Sequence, residues 1–255
     1  MTVIAVANQK GGVGKTTTVL TTAAILGDLG KKVLIVDCDS QHNSTSRLEE
    51  EESSPPYRLY DLFEDEEFKL SIAKAILPAK SSFKNVYYIE GDARLAKVDS
   101  ILSNRISREK TLKKILAPII KHFDFIFLDT PPAINALTIN ALTAADKLII
   151  PCDLSKDGLE GAKLINKLAS SLKKEKITSI ELSGIVVCGL EKSNSNLVKD
   201  LLSLIRREFA DKVYNIEVPA TVKVGESALA GATPYQLFRK HPITKSYEQL
   251  AKNLI

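Results

Sequence analysis

A glycine-rich turn at residues 9–17, Gln-Lys-Gly-Gly-Val-Gly-Lys-Thr-Thr, constrains the fold of this chain more than any other feature. The turn directly follows an apolar run, Val3–Ala7, and leads into a segment with helical character. A buried strand that ends in such a turn and continues into a helix directs backbone N–H groups and the positive end of the helix toward phosphate oxygens. The turn therefore predicts an α/β protein with a phosphate-binding site.

Two side chains of the turn suit the phosphates of a nucleotide. Lys15 is placed to contact the β- and γ-phosphates, and the Thr16 hydroxyl is placed to hold Mg²⁺. The common P-loop pattern has glycine five residues before Gly14, where this chain has Gln9. A second lysine, Lys10, stands instead at the mouth of the loop. This departure separates the chain from the ordinary form of the motif.

Apolar runs rich in β-branched residues alternate with amphipathic segments along the 255 residues. Such alternation predicts an α/β fold, a single-domain P-loop NTPase over residues 1–255, with a mostly parallel twisted sheet covered by helices on both faces. The predicted strands are 2–8, 33–36, 86–89, 124–128, 147–151, 182–188 and 213–216. The predicted helices include 15–29, 107–121, 157–174 and 194–208.

Charge is distributed unevenly in this sequence. Residues 49–67 contain nine acidic side chains and one basic side chain, whereas the whole chain has a net charge of +4. The first part of this segment, residues 49–56, predicts an acidic surface loop. The remainder is strongly basic, so a polyanion such as nucleic acid is a candidate partner, and dispersed lysines that only maintain solubility are the alternative.

Neither a membrane span nor a metal-binding cysteine motif is visible. The apolar runs are much shorter than a transmembrane helix. Cys38, Cys152 and Cys188 are widely spaced and lack metal-ligand spacing, which favours small buried side chains in a reducing compartment. The chain is therefore expected to be cytoplasmic.

Carboxylates follow two further predicted strands, at the sheet edge where open α/β sheets bind ligands. Asp37 and Asp39 come directly after the run Val33–Val36, at alternate positions from which both can approach the phosphates. Asp129 ends the run Phe125–Leu128, like the Walker B carboxylate that holds Mg²⁺ directly or through water. These three carboxylates are candidates for the metal and the catalytic water.

Four segments resemble the ParA/MinD family of ATPases with a deviant Walker A motif. Residues 10–17 are similar to that motif, Asp37–Asn43 to the next motif of ParA proteins, and Asp129–Pro132 to the family's Asp-x-Pro-Pro. Residues 218–234 are similar to a C-terminal block of ParA proteins. The resemblance extends from residue 2 to about residue 236. It departs at Ser40, where Pro is usual, at His42, where Gly is usual, and at Ala220, where Arg is frequent.

This resemblance implies a homodimer that encloses ATP and Mg²⁺ at its interface. Lys10 would reach across and contact the phosphates of the partner, and Asp39 would orient the attacking water, so the implied catalytic residues are Lys10, Lys15 and Asp39. The implied metal site is formed by Thr16, Asp37 and Asp129. The implied nucleotide-binding residues are Lys10, Gly11, Gly12, Val13, Gly14, Lys15, Thr16, Thr17 and Pro219, the last beside adenine.

The resemblance also implies a function, partitioning of a chromosome or plasmid by a slow ATPase. The ATP-bound dimer would bind DNA nonspecifically, in association with the nucleoid, and a ParB-like protein would stimulate hydrolysis and release it. Phosphate contacts of this kind need cations but no base-reading geometry. The candidate DNA-binding residues are Lys199, Arg206, Arg207, Lys223, Arg239, Lys240 and Lys245.

Two alternatives remain at this level. A MinD-like membrane-cycling ATPase in division-site or cargo positioning needs a basic amphipathic helix at the C-terminus. Residues 243–255 have helical apolar spacing but no basic face, so we expect a helix docked on the core and no membrane partner. A P-loop enzyme of small-molecule metabolism is the second alternative. Its nitrogenase-reductase form would need a pair of cluster-binding cysteines, which the three cysteines do not supply.

Overall fold

A single β-sheet runs through the part of the chain that the computed structural model describes, residues 1–50, 54–190 and 196–255. Its strands lie in the order β3-β4-β2-β5-β1-β6-β7-β8, and neighbouring strands are parallel except for β3 and β4. The mostly parallel sheet predicted from the sequence is confirmed. The strands are β1 (Thr2–Val6), β2 (Val33–Asp37), β3 (Ile76–Pro78), β4 (Val86–Ile89), β5 (Phe125–Asp129), β6 (Lys147–Asp153), β7 (Glu181–Leu190) and β8 (Val213–Pro219).

Helices cover both faces of this sheet, as predicted. The helices are α1 (Lys15–Asp28), α2 (Thr45–Leu48), α3 (Leu59–Glu64), α4 (Val98–Leu102), α5 (Thr111–Leu116), α6 (Ala136–Ala144), α7 (Lys156–Lys174), α8 (Asn196–Phe209), α9 (Lys223–Leu229), α10 (Pro234–Leu237) and α11 (Pro242–Leu254). Helices α1, α10 and α11 contribute to the hydrophobic cluster on one face. Helices α3 to α8 contribute to the cluster on the other.

The central strands are apolar throughout because both of their faces are buried. In β1, Val3 and Ala5 belong to one hydrophobic cluster, whereas Ile4 and Val6 belong to the other. All four side chains are fully buried. Burial of a Val or Ile side chain stabilises a fold by roughly 1.5–3 kcal/mol, so this strand fixes the middle of the sheet and the start of the loop that follows it.

One sequence prediction needs correction, and one strand was missed. The segment 107–121, predicted as one helix, contains the short helix α5 flanked by 3₁₀ turns at Arg108–Lys110 and Ile120–His122. Pro118 lacks the backbone N–H that a continuing helix needs. Strand β3 was not predicted, because three residues that end in Pro78 have no readable periodicity. The other elements are confirmed with shifted ends, and residues 194 and 195 of the predicted α8 lie outside the described residues.

Both edges of the sheet are shielded. At β8, the Ser246 hydroxyl of α11 donates a hydrogen bond to the Glu217 carbonyl (2.7 Å), and the Gln249 amide donates one to the Asn215 carbonyl (3.5 Å). The opposite edge is the three-residue strand β3, which ends in Pro78. Short edges and prolines discourage the addition of further strands.

Helix α11 is docked on the core, as its sequence pattern predicted. Its apolar residues Ile243, Tyr247, Leu250 and Leu254 are buried. The Tyr247 hydroxyl lies 3.3 Å from the Thr18 hydroxyl of α1 and so joins the two helices. Among the described helices, none has the length and apolar character that crossing a bilayer requires.

The predicted acidic loop at 49–56 is described only in part. Glu49, Glu50 and Ser54 are exposed, whereas residues 51–53 lie outside the described residues. Strands from residue 2 to residue 219 share one sheet, and α11 packs against α1. The assignment of residues 1–255 to one domain stays a prediction that this arrangement supports.

Candidate functional site

The glycine-rich loop leaves β1 and enters α1 through two residues in left-handed backbone conformations. Gly12 has a φ of 76° and Gly14 a φ of 94°. Residues with a Cβ rarely adopt such angles, so glycine is required at both positions. Helix α1 starts at the next residue, Lys15, and its first turn closes with a 2.8 Å hydrogen bond from the Thr18 N–H to the Gly14 carbonyl. Gly11 and Gly12 are exposed, so the loop is open to a ligand.

Lys15 is buried at the base of this loop, with 7% of its surface exposed. Its Nζ donates a 3.1 Å hydrogen bond to the Lys10 carbonyl. Burial lowers the pKa of Lys15, and the nearby negative charges of Asp129 and Asp39 oppose that shift. The sequence prediction that Lys15, Asp39 and Asp129 share one site therefore agrees with their positions.

Two buried carboxylates face each other at the carboxyl ends of neighbouring strands. Asp37 ends β2, Asp129 ends β5, and the two residues are in register. Asp37 Oδ2 accepts hydrogen bonds from the Thr45 N–H and hydroxyl, both at 2.8 Å. Asp129 Oδ2 accepts one from the Ser44 hydroxyl at 2.6 Å. Since Ser44 and Thr45 are adjacent at the start of α2, one segment orients both carboxylates.

Burial and neighbouring negative charge, from Asp129 on Asp37 and from Asp39 on Asp129, make both carboxylates difficult to ionise. Burial, and then the charge of Asp129, raises the pKa of Asp37 to about 7, although hydrogen bonds from Thr45 and Asp39 oppose the shift. Burial raises the pKa of Asp129 to about 6, against the effects of the Ser44 and Thr16 hydroxyls and the Lys15 charge. Two like charges in a site removed from water repel each other, so a cation between or beside them would favour the ionised forms.

The donor set fits a hard divalent cation such as Mg²⁺. Asp129 Oδ1 is buried without a hydrogen-bond partner, and the Thr16 hydroxyl lies nearby at the start of α1. Carboxylate and hydroxyl oxygens are ligands that Mg²⁺ accepts, usually together with water and substrate phosphates. No cluster of three His, Cys, Asp or Glu side chains that could hold a metal occurs among the described residues.

Asp39 and Thr17 lie close to this centre, and Pro219 lies at the end of a strand. Asp39 is 9% exposed, and its Oδ1 accepts a 3.0 Å hydrogen bond from the Gln41 N–H, which fixes its orientation. Thr17 is buried in the first turn of α1. Pro219 is half-buried at the end of β8, beside Leu190 at the end of β7. The catalytic role of Asp39 and the adenine contact of Pro219 stay predictions.

Lys10 does not extend freely from the loop. Its Nζ donates hydrogen bonds to Asp153 Oδ2 (2.5 Å) and to the Ser155 hydroxyl (2.8 Å). The Ser155 hydroxyl donates in turn to Asp153 Oδ1 and accepts the Gly158 N–H at the start of α7. The lysine predicted to act on a partner subunit is thus held by its own chain in this structure.

Several residues of this arrangement were missed by the sequence analysis. Asp153 ends β6 and Ser155 caps α7, so the strand-end rule that identified Asp37 and Asp129 could also have indicated Asp153. Asn8 joins the loop to α7, because its amide donates to the carbonyls of Pro151 (2.8 Å) and Gly158 (3.3 Å). Its Oδ1 accepts the N–H of Lys10 at 3.0 Å. No motif in the sequence marks Asn8.

The seven candidate DNA-binding cations lie on different elements. Arg206 and Arg207 are exposed in the last turn of α8, and Arg206 pairs with Glu217 of β8 at 3.5 Å. Lys245 is exposed on α11, next to Ser246, which also contacts Glu217. These three cations therefore flank the β8 edge from both faces of the sheet.

The other four cations divide into two groups. Lys199 on α8 and Lys240 before α11 are exposed. Lys223 pairs with Glu226 at 2.8 Å, and Arg239 pairs with Asp28 at 2.9 Å. The Arg239 guanidinium also lies 3.6 Å from the centre of the Tyr235 ring. Lys223 and Arg239 are each held by a carboxylate within 2.9 Å and by an aromatic ring, whereas the Glu217 carboxylate lies 3.5 Å from Arg206. The closer partners make Lys223 and Arg239 weaker candidates for DNA contacts.

One departure from the resembled motif has a visible consequence. His42, where glycine is usual, adopts a φ of 42°. This is the left-handed region that glycine enters without steric cost. The His42 ring lies 3.3 Å from the Ser46 hydroxyl, a contact that keeps it near the surface of α2.

Comparison with known sequences identifies related proteins. Residues 1–182 match the family model described as AAA domain. The chain is 35% identical over 229 residues to the sporulation initiation inhibitor protein Soj of Bacillus subtilis, covering 90% of this chain and 88% of that protein. It is 30% identical over 255 residues to the chromosome partitioning protein ParA of Caulobacter vibrioides, covering 99% and 93%.

Solved structures share the fold. A variant of McdA from Cyanothece in complex with ATP superposes with a TM-score of 0.88 at 24% identity, covering 100% of this chain and 96% of that chain. Cobyrinic acid a,c-diamide synthase from Mycobacterium smegmatis, with a bound ATP analogue and magnesium, superposes with a TM-score of 0.83 at 26% identity, covering 99% and 93%. The fold of the chain is therefore that of nucleotide-binding P-loop proteins.

Proposed function

Because the chain belongs to the ParA and Soj family of partitioning ATPases, within the ParA/MinD type, we propose that it binds ATP with Mg²⁺ and hydrolyses it to ADP and phosphate. The observation that carries this proposal is the buried pair Asp37 and Asp129 beside Lys15, at the mouth of the glycine-rich loop. A divalent cation would stabilise the ionised forms of these two carboxylates, and the loop supplies the phosphate site that would share the ion.

Each residue of the site has a separate task in this proposal. The N–H groups of Gly11–Gly14 and the ammonium of Lys15 bind the phosphates, and Thr17 bonds the α-phosphate. Thr16, Asp129 and Asp37 hold Mg²⁺ directly or through water, and the bound ion neutralises charge on the phosphates. Asp39 orients the attacking water. Pro219 lies against the adenine.

Dimerisation completes the site in this proposal. Lys10 leaves Asp153 and Ser155 and contacts the phosphates bound by the second copy of the chain. Lys10 thereby exchanges the single negative charge of the Asp153 carboxylate for the several charges of a triphosphate. This movement is favourable only when the second copy of the chain has ATP bound. In its new position Lys10 stabilises charge on the transferred phosphoryl group, as an arginine finger does in other NTPases.

The proposed cellular role is partitioning of a chromosome or plasmid. The ATP-bound dimer binds DNA of any sequence through surface cations, which places it on the nucleoid, and a ParB-like protein accelerates a slow hydrolysis that releases it. Arg206, Arg207 and Lys245 are the favoured contacts, because they are exposed on both sides of one sheet edge. Nonspecific DNA binding depends on such phosphate contacts.

Lys10→Ala tests the proposal. We expect the unchanged chain to form dimers with MgATP, to remain monomeric with MgADP, and to bind unrelated DNA only as the dimer. We expect Lys10→Ala to bind ATP but to lose dimerisation, DNA binding and turnover, because the interfacial cation is gone. Light scattering after size exclusion, together with a DNA-binding titration, measures these states.

Lys121→Ala is the matched control, since Lys121 is an exposed lysine at the opposite end of β5 from Asp129. It should behave like the unchanged chain. ATP-dependent dimers of Lys10→Ala that still bind DNA would contradict the proposal. ATP-dependent sedimentation with anionic liposomes would instead favour membrane cycling, which the burial of the apolar side of α11 disfavours.

A further inference from the structure

A second cavity lies at the opposite end of the sheet from the nucleotide loop. It has a volume of about 680 Å³ and is located between α5 and the segment that follows α3. Lys32, at its rim, immediately precedes β2, whereas Asp37 ends that strand. Five residues of strand span about 13 Å, so the cavity is separate from the phosphate site. Its volume is typical of small-molecule sites.

The walls of this cavity are mostly apolar. Tyr87 and Phe123 line it, with their rings in an edge-to-face arrangement at 5.7 Å. Aliphatic side chains from α3, from α5 and from the segments that follow these two helices complete the walls. They include Leu62, Ile72, Ile115 and Ile119. Such walls favour a ligand with an apolar body.

The rim is positively charged. Lys32 Nζ lies 5.1 Å from the centres of the Tyr87 and Phe123 rings, and Lys114 Nζ lies 5.6 Å from that of Phe68. Within the described ranges, neither ammonium group pairs with a carboxylate. Asp65, the acidic side chain among the described lining residues, accepts hydrogen bonds from the N–H groups of Glu67 and Leu70, and the lining Lys69 pairs with Glu67. The ammonium groups available to an anion are therefore those of Lys32 and Lys114.

An adjoining cavity of about 370 Å³ lies beyond Phe68, and Phe68 and Lys114 also line it. Its other charged side chains, Glu66 and Arg105, pair with each other, because Arg105 Nε lies 3.5 Å from Glu66 Oε1. Arg105 Nη2 also donates a 2.8 Å hydrogen bond to the Glu64 carbonyl. Phe68, between the two cavities, has a φ of 53°, which is unusual for a bulky residue. Among the described residues, Lys114 is therefore the cation of this second cavity that has no carboxylate partner.

We propose that this cavity binds an aliphatic carboxylate, with the chain between Tyr87, Ile115 and Ile119 and the carboxylate at the rim formed by Lys32 and Lys114. Apolar walls alone would accept any hydrocarbon. The two lysines without carboxylate partners select an acid over a neutral or cationic analogue, because an unpaired ammonium gains most from an opposite charge. This inference does not depend on the function of the nucleotide site.

Calorimetry with hexanoate, octanoate and decanoate tests chain length first. Each added methylene should tighten binding by up to about fourfold while the cavity still has room, as transfer of methylene groups from water predicts. Decan-1-ol and decylammonium should bind at least about tenfold more weakly than decanoate, because they lack the negative charge. Equal binding of the acid and the alcohol, or no binding of decanoate, would refute the proposal.

Lys32→Gln with Lys114→Gln tests the rim. The double variant should bind decanoate about tenfold or more weakly than the unchanged chain, and its affinity for decan-1-ol should be unchanged. Lys113→Gln, on the same helix and exposed but outside the cavity, is the control. An unchanged decanoate affinity in the double variant would refute the assignment.

The position of the bound ligand can be measured independently of its affinity. The chain contains no tryptophan, so Phe68→Trp introduces a unique fluorophore between the two cavities. 10-Bromodecanoate should quench its emission with the same affinity that calorimetry gives for the unmodified chain, within about twofold for a bulkier tail. Binding by calorimetry without quenching would place the ligand elsewhere and overturn the proposal.

Discussion

At the scale of single residues, the pair Asp37 and Asp129 shows how a binding site stores unfavourable energy. Both side chains are almost completely buried, and one segment, Ser44–Thr45, supplies hydroxyl donors to both. Hydrogen bonds to ionised carboxylates lower their pKa, but burial, together with the negative charge of a neighbouring carboxylate, outweighs that effect here. The ligand-free protein is consequently destabilised at the position where the metal would bind.

The stability of the metal-free protein should therefore fall as the pH rises. The pKa values of Asp37 and Asp129, about 7 and about 6, lie above the ordinary value of 3.8. At a pH between 3.8 and these raised values, the folded state therefore holds more protons than the unfolded state. This contribution to stability is complete below pH 4 and is lost as the pH rises through 6 and 7. In EDTA, Asp129→Asn should flatten this dependence and raise the free energy of unfolding at pH 8 by about 1–2 kcal/mol.

Thermal unfolding from pH 5 to pH 8 measures this effect. In excess MgATP at pH 8, the unchanged chain should unfold at a higher temperature than Asp129→Asn, the reverse of the order in EDTA. The reason is that the unchanged chain gains binding free energy, whereas the variant has lost an oxygen ligand. An identical pH dependence for both proteins would contradict the assigned cause.

At the scale of elements, α7 approaches the nucleotide loop so closely that only glycine fits at Gly161. A Cβ there would lie 2.3 Å from Asn8 Oδ1 and 3.1 Å from the Lys10 nitrogen. Asn8 also bonds to Pro151 and Gly158, so β6, α7 and the loop meet at this side chain. The position of the loop thus depends on the absence of one methyl group on a neighbouring helix.

Gly161→Ala should displace the loop. We expect a loss of about 1–3 kcal/mol in the free energy of unfolding, from the overpacking of a close contact, together with weaker ATP binding. Gly225→Ala is the matched control, because Gly225 also lies in a helix, α9, and a methyl group added there would meet no atom within 4 Å. The control should gain about 0.5–1 kcal/mol. Equal effects of the two substitutions, in chemical unfolding and ATP calorimetry, would argue against the close-contact explanation.

The sequence allowed seven of the eight described strands, the glycine-rich loop and the closeness of Asp37 to Asp129 to be predicted, because each has a local signal. Gly12 and Gly14 mark the turn, and Asp37 and Asp129 end apolar runs. Asn8 and Gly161 act through contacts between residues far apart in the chain, which no local pattern records, whereas Asp153 had the same strand-end signal as Asp37 and Asp129. The break in 107–121 did have a signal, Pro118, which the helical periodicity of the flanking residues obscured.

At the scale of the whole molecule, the proposed DNA surface lies along the β8 edge. Exposed cations approach it from both faces of the sheet. Arg206 pairs with Glu217 at 3.5 Å, whereas Lys223 and Arg239 are held more closely by Glu226 and Asp28, at 2.8 and 2.9 Å. A surface of this kind binds through charge and counterion release, with a strong dependence on salt.

Substitution of Arg206 and Arg207 together by alanine should weaken DNA binding and reduce the slope of log K against log salt by about 1–2 units, without a change in basal ATP turnover. The control replaces Lys173 and Lys174, two exposed cations in the last turn of α7, of which Lys173 also pairs with a glutamate, Glu181, at 3.5 Å. A DNA titration at several salt concentrations measures both slopes. If the two double variants gave the same slope, Arg206 and Arg207 would not belong to the DNA-binding surface.

The shielded edges of the sheet limit how copies of this protein can associate. Ser246 and Gln249 occupy carbonyls along β8, and β3 offers only three residues before Pro78. Neither side can readily accept a strand from a neighbouring molecule, so growth into an extended intermolecular sheet is disfavoured. The dimer proposed above, which pairs two copies through their glycine-rich loops, would leave both sheet edges unused. Such a pair would be closed and would offer no edge for the growth of an open-ended polymer.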